Sequence, residues 1–466
     1  MYDVIIVGGG ASGLMAAVNS TGNIAIVEKN DILGKKILAT GNGRCNLSNL
    51  ECCYESDFGN EILSLFDVEK TLDFFKKMGI ETVSEKSRLY PMSLEAKSIR
   101  ETLEEKALAK SEIIRGAVKE LEQLDTGFKL IIETGSKNSD KNRKGNNINR
   151  LDKKTKDYEQ LNSSDKNIRE SGSNITSAYS KAVIFATGGK AGPQYGLTGE
   201  GFRILKNLGH TIKKPIPALV PLVSESPFLR DIAGVRVNGR ISLIKNDVEI
   251  ATEKGQIQFN NDSISGICTF DLSRHVRDIK ENRYRVRMDF LDFPSFNEKE
   301  NVKKFLHKRA NNVIFDKNFL RGILPEKLGQ ALICAALKNI YGIEYNGFDG
   351  AENIENQVDK KAVIEELARI VKSFEIEISG TKGWRDAQVT DGGICEEEID
   401  RNTLESKLVK GLFLAGEVID ITGRCGGYNL QWAFSSGALV GESAGRASAE
   451  GFSASLRAAA EESRSP

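Results

Sequence analysis

Residues 3–28 read as strand, glycine turn, helix, strand and acid, the order that a bound dinucleotide requires. Asp3-Val4-Ile5-Ile6-Val7 is a short apolar run followed without a gap by Gly8-Gly9-Gly10-Ala11-Ser12-Gly13. Leu14-Met15-Ala16-Ala17-Val18 continues as a helix, and Ile24-Ala25-Ile26-Val27 closes on Glu28. Gly8, Gly10 and Gly13 fit G-x-G-x-x-G. The first permits the tight turn, the second lets the backbone approach a pyrophosphate, and the third lets helix and sheet pack closely. Ala11 and Ser12 open the helix, whose unpaired N–H groups and positive dipole end face the phosphates. Glu28 stands roughly twenty residues on, where a carboxylate accepts hydrogen bonds from a ribose and repels a 2′-phosphate. Glycine-rich turns are common, so the weight lies on the flanking strands and on the acid in register.

Composition limits the remaining classes. A chain of 466 residues holds two or three domains with a sizeable core. Its 65 Lys and Arg balance 65 Asp and Glu, so no net field draws nucleic acid or an anionic membrane. Seven cysteines without C-x-x-C speak against a disulfide framework and a zinc ribbon. His210, His275 and His307 lack ligand spacing, and no metal is expected. The first strand leaves no room for a signal peptide, and no apolar run is long enough to span a bilayer; a cytoplasmic protein is expected.

Residues 136–177 are nearly devoid of apolar side chains and predict a flexible excursion between strands at 128–133 and 182–186. The cluster Pro215-Ile216-Pro217-Ala218-Leu219-Val220-Pro221 predicts a rigid interdomain crossing. Alternating segments at 234–244 and 248–259 then suggest a small antiparallel sheet or barrel. Over 297–339, Val302, Phe305, Leu306, Leu328, Ala331, Leu332 and Ala335 recur at helical spacing, with Pro325 opening the second helix.

Two further strand-to-glycine turns bear on the first. Ala182-Val183-Ile184-Phe185-Ala186-Thr187-Gly188-Gly189 and Gly411-Leu412-Phe413-Leu414-Ala415-Gly416-Glu417 each bring a strand's carboxyl end beside the nucleotide turn. Gly423-Arg424-Cys425-Gly426-Gly427-Tyr428-Asn429-Leu430 then reads as a glycine loop entering a helix through Ala444.

The segment from Gly34 to Asn49, the Ala186–Gly189 turn, and Gly416-Glu417-Val418 with Gly426 to Trp432 resemble the bacterial FAD-dependent oxidoreductases that include aminoacetone oxidase and a bile-acid steroid-ring reductase. The resemblance implies an α/β fold: a glutathione-reductase-like, Rossmann-type FAD-binding domain with an inserted β-barrel domain and a small helical subdomain. On this reading 1–192 and 386–450 form the FAD domain and 193–385 the β-rich insert, with its helical part at 297–345. Residues 451–466 form a flexible tail.

It further implies non-covalent FAD. Glu28 and the neighbouring Lys29 hold the adenosine ribose, the Gly8–Gly13 turn the pyrophosphate, and Gly34, Lys35 and Lys36 the adjoining phosphate–ribose region. Gly41, Gly43, Arg44, Cys45 and Asn46 run beside the flavin, and the Val118 backbone meets adenine. Ala186, Thr187, Gly188, Gly416, Glu417, Gly427, Asn429 and Leu430 surround the ribityl chain and the pyrimidine side of the ring. Surface exposure is an alternative for Lys35 and Lys36, and core packing for Tyr428 and Trp432. Cys45 and Cys425 are read either as a redox pair or as thiols lining a tight loop. No acid or base is assigned, and Arg44 is a substrate-side candidate only.

Three functions follow. The first is an FAD oxidoreductase of a small organic substrate exchanging electrons with NAD(P)H or oxygen; lacking a second G-x-G-x-x-G, a nicotinamide would have to visit transiently. The second is an amine oxidase without nicotinamide. The third, a flavin-bearing RNA-modification or binding factor, is disfavoured by neutral charge and by basic residues without interleaved aromatics. Neither nucleic acid nor membrane is an expected partner.

Overall fold

The computed structural model describes residues 1–135, 174–342 and 359–462, with side chains through Ala449. Most of the 136–177 excursion therefore lies outside the described residues. The sheet under the site runs in the order Ser111–Arg115, Ile24–Glu28, Tyr2–Val7, Asn174–Phe185, Gly127–Thr134, Ala117–Leu124, and Leu412–Leu414 pairs with Asn174–Phe185. Val4 to Val7 and Ile24 to Val27 are buried on both faces, as continuous apolar strands of a parallel sheet must be. They pair in parallel from Val4↔Ile24 to Val7↔Val27, connected through the helix Ala11–Asn19.

Asn174–Phe185 changes partner along its length. Its first half pairs antiparallel with Gly127–Thr134, and its second half runs parallel to Tyr2–Val7 and Leu412–Leu414. Residues 174–177 thus belong to a strand and not to the expected excursion. Their backbone groups pair with 131–134, and an antiparallel ladder can form there with few buried side chains.

The proline-rich crossing lies as a short strand, Ile216–Ala218, against the return strand Val389–Asp391. Beyond it a second sheet takes the order Phe374–Ile378, Tyr284–Asp289, Arg236–Lys245, Val248–Phe259, Ser263–Ser265, Leu222–Val223, Gly380–Thr381. The strands expected at 234–244 and 248–259 are antiparallel neighbours here. Helices Lys299–Ala310, Glu326–Tyr341 and Lys360–Lys372 pack with this sheet in a second core running from Leu222 to Ile378. That core is narrower than the expected insert at 193–385. Helix Glu200–Asn207 buries Phe202, Ile204 and Leu205 in the first core, because its apolar face meets the first sheet.

The last helix runs from Tyr428 to Glu462, past the expected end at Ala444 and into the stretch expected as a tail. Leu456 to Glu462 contains strong helix formers and no breaker. Gly437, Gly441 and Gly445 lie on one stripe of this helix against Ala11–Asn19 and the Thr21 turn: Cβ atoms there would fall 2.5 Å from Ser12 O, 2.5 Å from Ala16 O and 2.7 Å from Thr21 Oγ1. Among the described residues no helix is long and apolar enough to cross a membrane.

Candidate functional site

The carboxyl ends of the parallel strands are laced together by backbone bonds. Gly8 N donates to Val27 O at 2.9 Å, Ala186 N to Val7 O at 2.9 Å, Gly116 N to Glu28 O at 3.0 Å and Ala415 N to Phe185 O at 3.1 Å. Above them opens a cavity of about 560 Å³. Of the residues singled out from sequence, it is lined by Gly8, Gly10, Ala11, Ser12, Glu28, Lys29, Gly34, Lys35, Lys36, Gly41, Arg44, Asn46, Val118, Ala186, Thr187, Gly188, Glu417, Gly427, Asn429 and Leu430. Gly13, Gly43, Cys45 and Gly416 are not on its wall. Gly13 and Gly416 lie behind it: a Cβ on Gly13 would fall 1.9 Å from Gly8 O, and one on Gly416 2.5 Å from Ser12 Oγ.

Glu28 is held before any ligand arrives. Gly9 N donates to its Oε2 and Asn30 N to its Oε1, each at 2.7 Å, which orients the buried carboxylate while leaving lone pairs for a further donor. The basic residues are mostly engaged. Lys29 pairs with Glu200 at 2.9 Å and Lys36 with Glu417 at 2.9 Å, whereas Lys35 donates to the Gln194 carbonyl at 3.3 Å. Glu417 also accepts from Thr390 N at 2.6 Å, so its carboxylate ties the return strand to the wall. Arg44 pairs with Glu85 at 3.2 Å and stacks over Tyr90 at 4.6 Å.

The 423–430 loop is shaped by its own side chains. Asn429 accepts from Gly423 N at 2.9 Å and donates to Gly423 O at 3.0 Å, so its amide folds the loop that lines the cavity. Gly427 has φ +103°, and a Cβ there would fall 2.3 Å from Ser48 O. Trp432 donates to Gly416 O at 3.0 Å and meets Tyr54 edge-on at 5.7 Å. From the insert, Asp271 accepts from Cys425 N at 2.7 Å; burial raises its carboxyl to about 6. Burial also pushes the Cys45 and Cys425 thiols up to about 12, which keeps them protonated and favours the lining role over a redox pair. His210 is buried between Glu398 and Ser406, in a structural role.

Sequence reasoning missed other lining residues: Arg88, Tyr90, Leu219, Ile267, Phe270 and the 385–389 segment. Leu219 carried one usable signal, its place in the proline cluster. It is buried at φ +51°, a left-handed conformation that costs a non-glycine residue about 1–3 kcal/mol and marks a constrained site.

The wall fits FAD on two counts. Gly10 has nothing of the protein within 4 Å of where a Cβ would stand, so the space beside it belongs to the cavity. Thr187 and Asn46 each carry a buried side-chain oxygen without a partner among the described residues, which calls for a ligand or water donor.

A family profile described as the HI0933-like protein Rossmann domain matches residues 2–144 and 140–443. The chain is 34% identical over 460 residues to the 3-dehydro-bile acid delta(4,6)-reductase of Clostridium scindens, covering 95% of this chain and 99% of that protein. It is 28% identical over 447 residues to the ribosomal RNA dihydrouridine synthase of Haemophilus influenzae, covering 93% and 96%. Among solved structures, 3-ketosteroid delta1-dehydrogenase from Sterolibacterium denitrificans superposes with a TM-score of 0.46 at 11% identity, covering 96% of this chain and 99% of that one.

Proposed function

The chain belongs to the HI0933-like Rossmann-domain family and is an FAD-dependent oxidoreductase, and from that premise we propose that it reduces a carbon–carbon double bond conjugated to a carbonyl, in a small apolar substrate, with electrons from NAD(P)H. The observation that carries this reading is the cavity. Its lining joins the glycine turn and Glu28 to the apolar side chains Leu219, Ile267, Phe270, Val389 and Ile421. The full-length similarity to a bile-acid reductase supports an apolar ring system as substrate.

In this reading FAD is held non-covalently. Glu28 and Val118 would hold its adenosine end, Gly10 and the helix start its pyrophosphate, and the Gly41–Asn46 segment and the Gly427–Leu430 loop its ring. Bound FAD supplies the two-electron chemistry, and the protein supplies orientation and electrostatics. The backbone N–H groups of the Gly427 loop, whose fold Asn429 holds, would be the donors for negative charge at the pyrimidine side of a bound flavin. Ile267 and Phe270 exclude water from the substrate side. The insert that brings them is read as a barrel: strand 374–378 continues through Ser379 into 380–381 and so stands at both ends of the second sheet's order. The three helices packed on it form the helical part.

Similarity to the dihydrouridine synthases favours a second reading, in which the double bond belongs to a uracil base of RNA. Anaerobic mixing of the flavin-loaded protein with NADH and NADPH, followed by a 3-oxo-4,6-diene steroid or a uridine-containing RNA, separates them. Flavin bleaching by a nicotinamide and reoxidation by the steroid is the expected result. Reoxidation by RNA alone would establish the second reading, and bleaching by amines but by neither nicotinamide would replace both with an oxidase.

A further inference from the structure

Arg88 opens the short strand Arg88–Pro91, and pairing of Asn49 with Arg88 carries it to the cavity wall. Arg88 is half-buried there, and a guanidinium stays charged at any relevant pH, so its charge calls for a partner. Yet among the described residues no carboxylate lies within ion-pair distance of Arg88, whereas Arg44 pairs with Glu85 and Arg424 with Glu253 at 2.6 Å.

Arg88 stands among other donors. A Cβ added at Gly426 would lie 3.1 Å from Arg88 Nε, 3.6 Å from Asn49 Nδ2 and 3.7 Å from Asn46 Nδ2, so the glycine lets these groups close in on the loop. The Asn49 amide is engaged, donating to Gly426 O at 2.8 Å. Asn46 is nine-tenths buried on the cavity wall; its side-chain oxygen, an acceptor without a partner among the described residues, awaits a donor, so the group it can offer an anion is Nδ2, the atom on the Gly426 and Arg88 side.

We propose that Arg88, together with the Asn46 Nδ2 donor, is an anion subsite that takes the carboxylate of a substrate whose body is otherwise apolar. The subsite rests on the reading of this cavity as a flavin and substrate site. The guanidinium fork matches a carboxylate with two parallel N–H···O bonds. A carboxylate is favoured over a phosphate because one unpaired cation balances one charge, while Leu219, Ile267 and Phe270 on the same cavity wall offer a second charge no side-chain donor. Arg88 thereby sets which end of the substrate enters first and which bond meets the flavin.

The test uses flavin-loaded wild type, Arg88→Gln and Arg88→Lys. The probes are biphenyl carboxylate, the matching carboxamide and uridine monophosphate, with binding read by equilibrium dialysis and by perturbation of the flavin spectrum. The wild type binds the carboxylate more tightly than the carboxamide. Arg88→Gln weakens the carboxylate by about 10- to 100-fold, the range of a charge-assisted hydrogen bond, and leaves the carboxamide unchanged. Arg88→Lys keeps part of the preference.

Equal binding of carboxylate and carboxamide by the wild type would overturn the subsite. So would tighter, Arg88-dependent binding of uridine monophosphate, or a changed flavin midpoint potential in Arg88→Gln with ligand affinities intact, which would give the guanidinium to the flavin. Flavin content is read separately from visible absorbance. A wild-type protein without flavin therefore counts against the cofactor reading, and a flavin-loaded protein indifferent to Arg88 counts against the subsite.

Discussion

Gly8, Gly10 and Gly13 stand in one motif, but different atoms exclude a side chain at each. At Gly13 the obstacle is the protein itself, Gly8 O at 1.9 Å; at Gly10 it is only whatever fills the cavity. Gly10→Val should therefore leave the melting temperature almost unchanged while flavin affinity drops about 10- to 100-fold, as overpacking by ~1–3 kcal/mol implies. Gly13→Val should lower thermal stability even without flavin. Equal flavin content in Gly10→Val and wild type would detach the turn from the cofactor. Asp271 gives a pH-dependent counterpart. Burial raises its carboxyl from 3.8 to about 6, so the folded protein holds that proton more tightly than the unfolded chain. Its contribution to stability is full below about pH 4 and is lost as pH rises through about 6, by about 3 kcal/mol at most. Asp271→Asn keeps an acceptor for Cys425 N without the charge. The melting temperature of this variant relative to wild type should rise between about pH 4 and pH 7, and a flat difference would refute the shift.

At the scale of elements, the site hangs on two helices in contact. Ala11–Asn19 carries the start of the phosphate turn and Tyr428–Glu462 carries the Gly427 loop; the Gly437, Gly441 and Gly445 stripe lets their backbones approach. Ser20 Oγ donates to Gly441 O at 3.2 Å across the contact. Gly441→Leu must push the helices apart, and we expect a loss of about 1–3 kcal/mol in denaturant unfolding, with flavin released at lower denaturant than in wild type. An unchanged midpoint would show that the contact yields without cost. Gln431 anchors the start of the second helix. Fully buried, it accepts from Ser48 Oγ at 2.6 Å and donates to Thr71 Oγ1 at 2.7 Å, tying the first helical turn to two other elements.

Across the whole molecule, two cores meet at the paired crossing strands Ile216–Ala218 and Val389–Asp391, and the cavity takes its walls from both sides of that crossing. The segment 136–173 leaves and re-enters at adjacent points, since Thr134 pairs with Asn174. Loop length changes closure entropy slowly, roughly 0.6 kcal/mol per doubling, so joining 135 to 174 through a short turn should leave flavin content and turnover intact. Extending the deletion through Ser177 removes residues paired with 131–134 and should lower the melting temperature. Loss of flavin from a folded protein lacking only 136–173 would make that segment part of the site.

What the sequence alone determined is local. The βαβ unit, its glycine turn and Glu28 lie within one short span, where strand, turn and helix preferences act between chain neighbours and leave a readable pattern. The glycine loop before Tyr428 was visible for the same reason. The partner switch of Asn174–Phe185 was not, because backbone pairing supports those polar residues and composition does not report backbone partners. Nor was the use of the Asn429 amide to fold its own loop, or the pairing of Lys36 with Glu417. Arg88, Leu219, Ile267 and Phe270 reach one cavity from separate strands, crossings and helices. No spacing along the chain marks them, since their meeting is set by how two cores pack, and only the tertiary structure decided it.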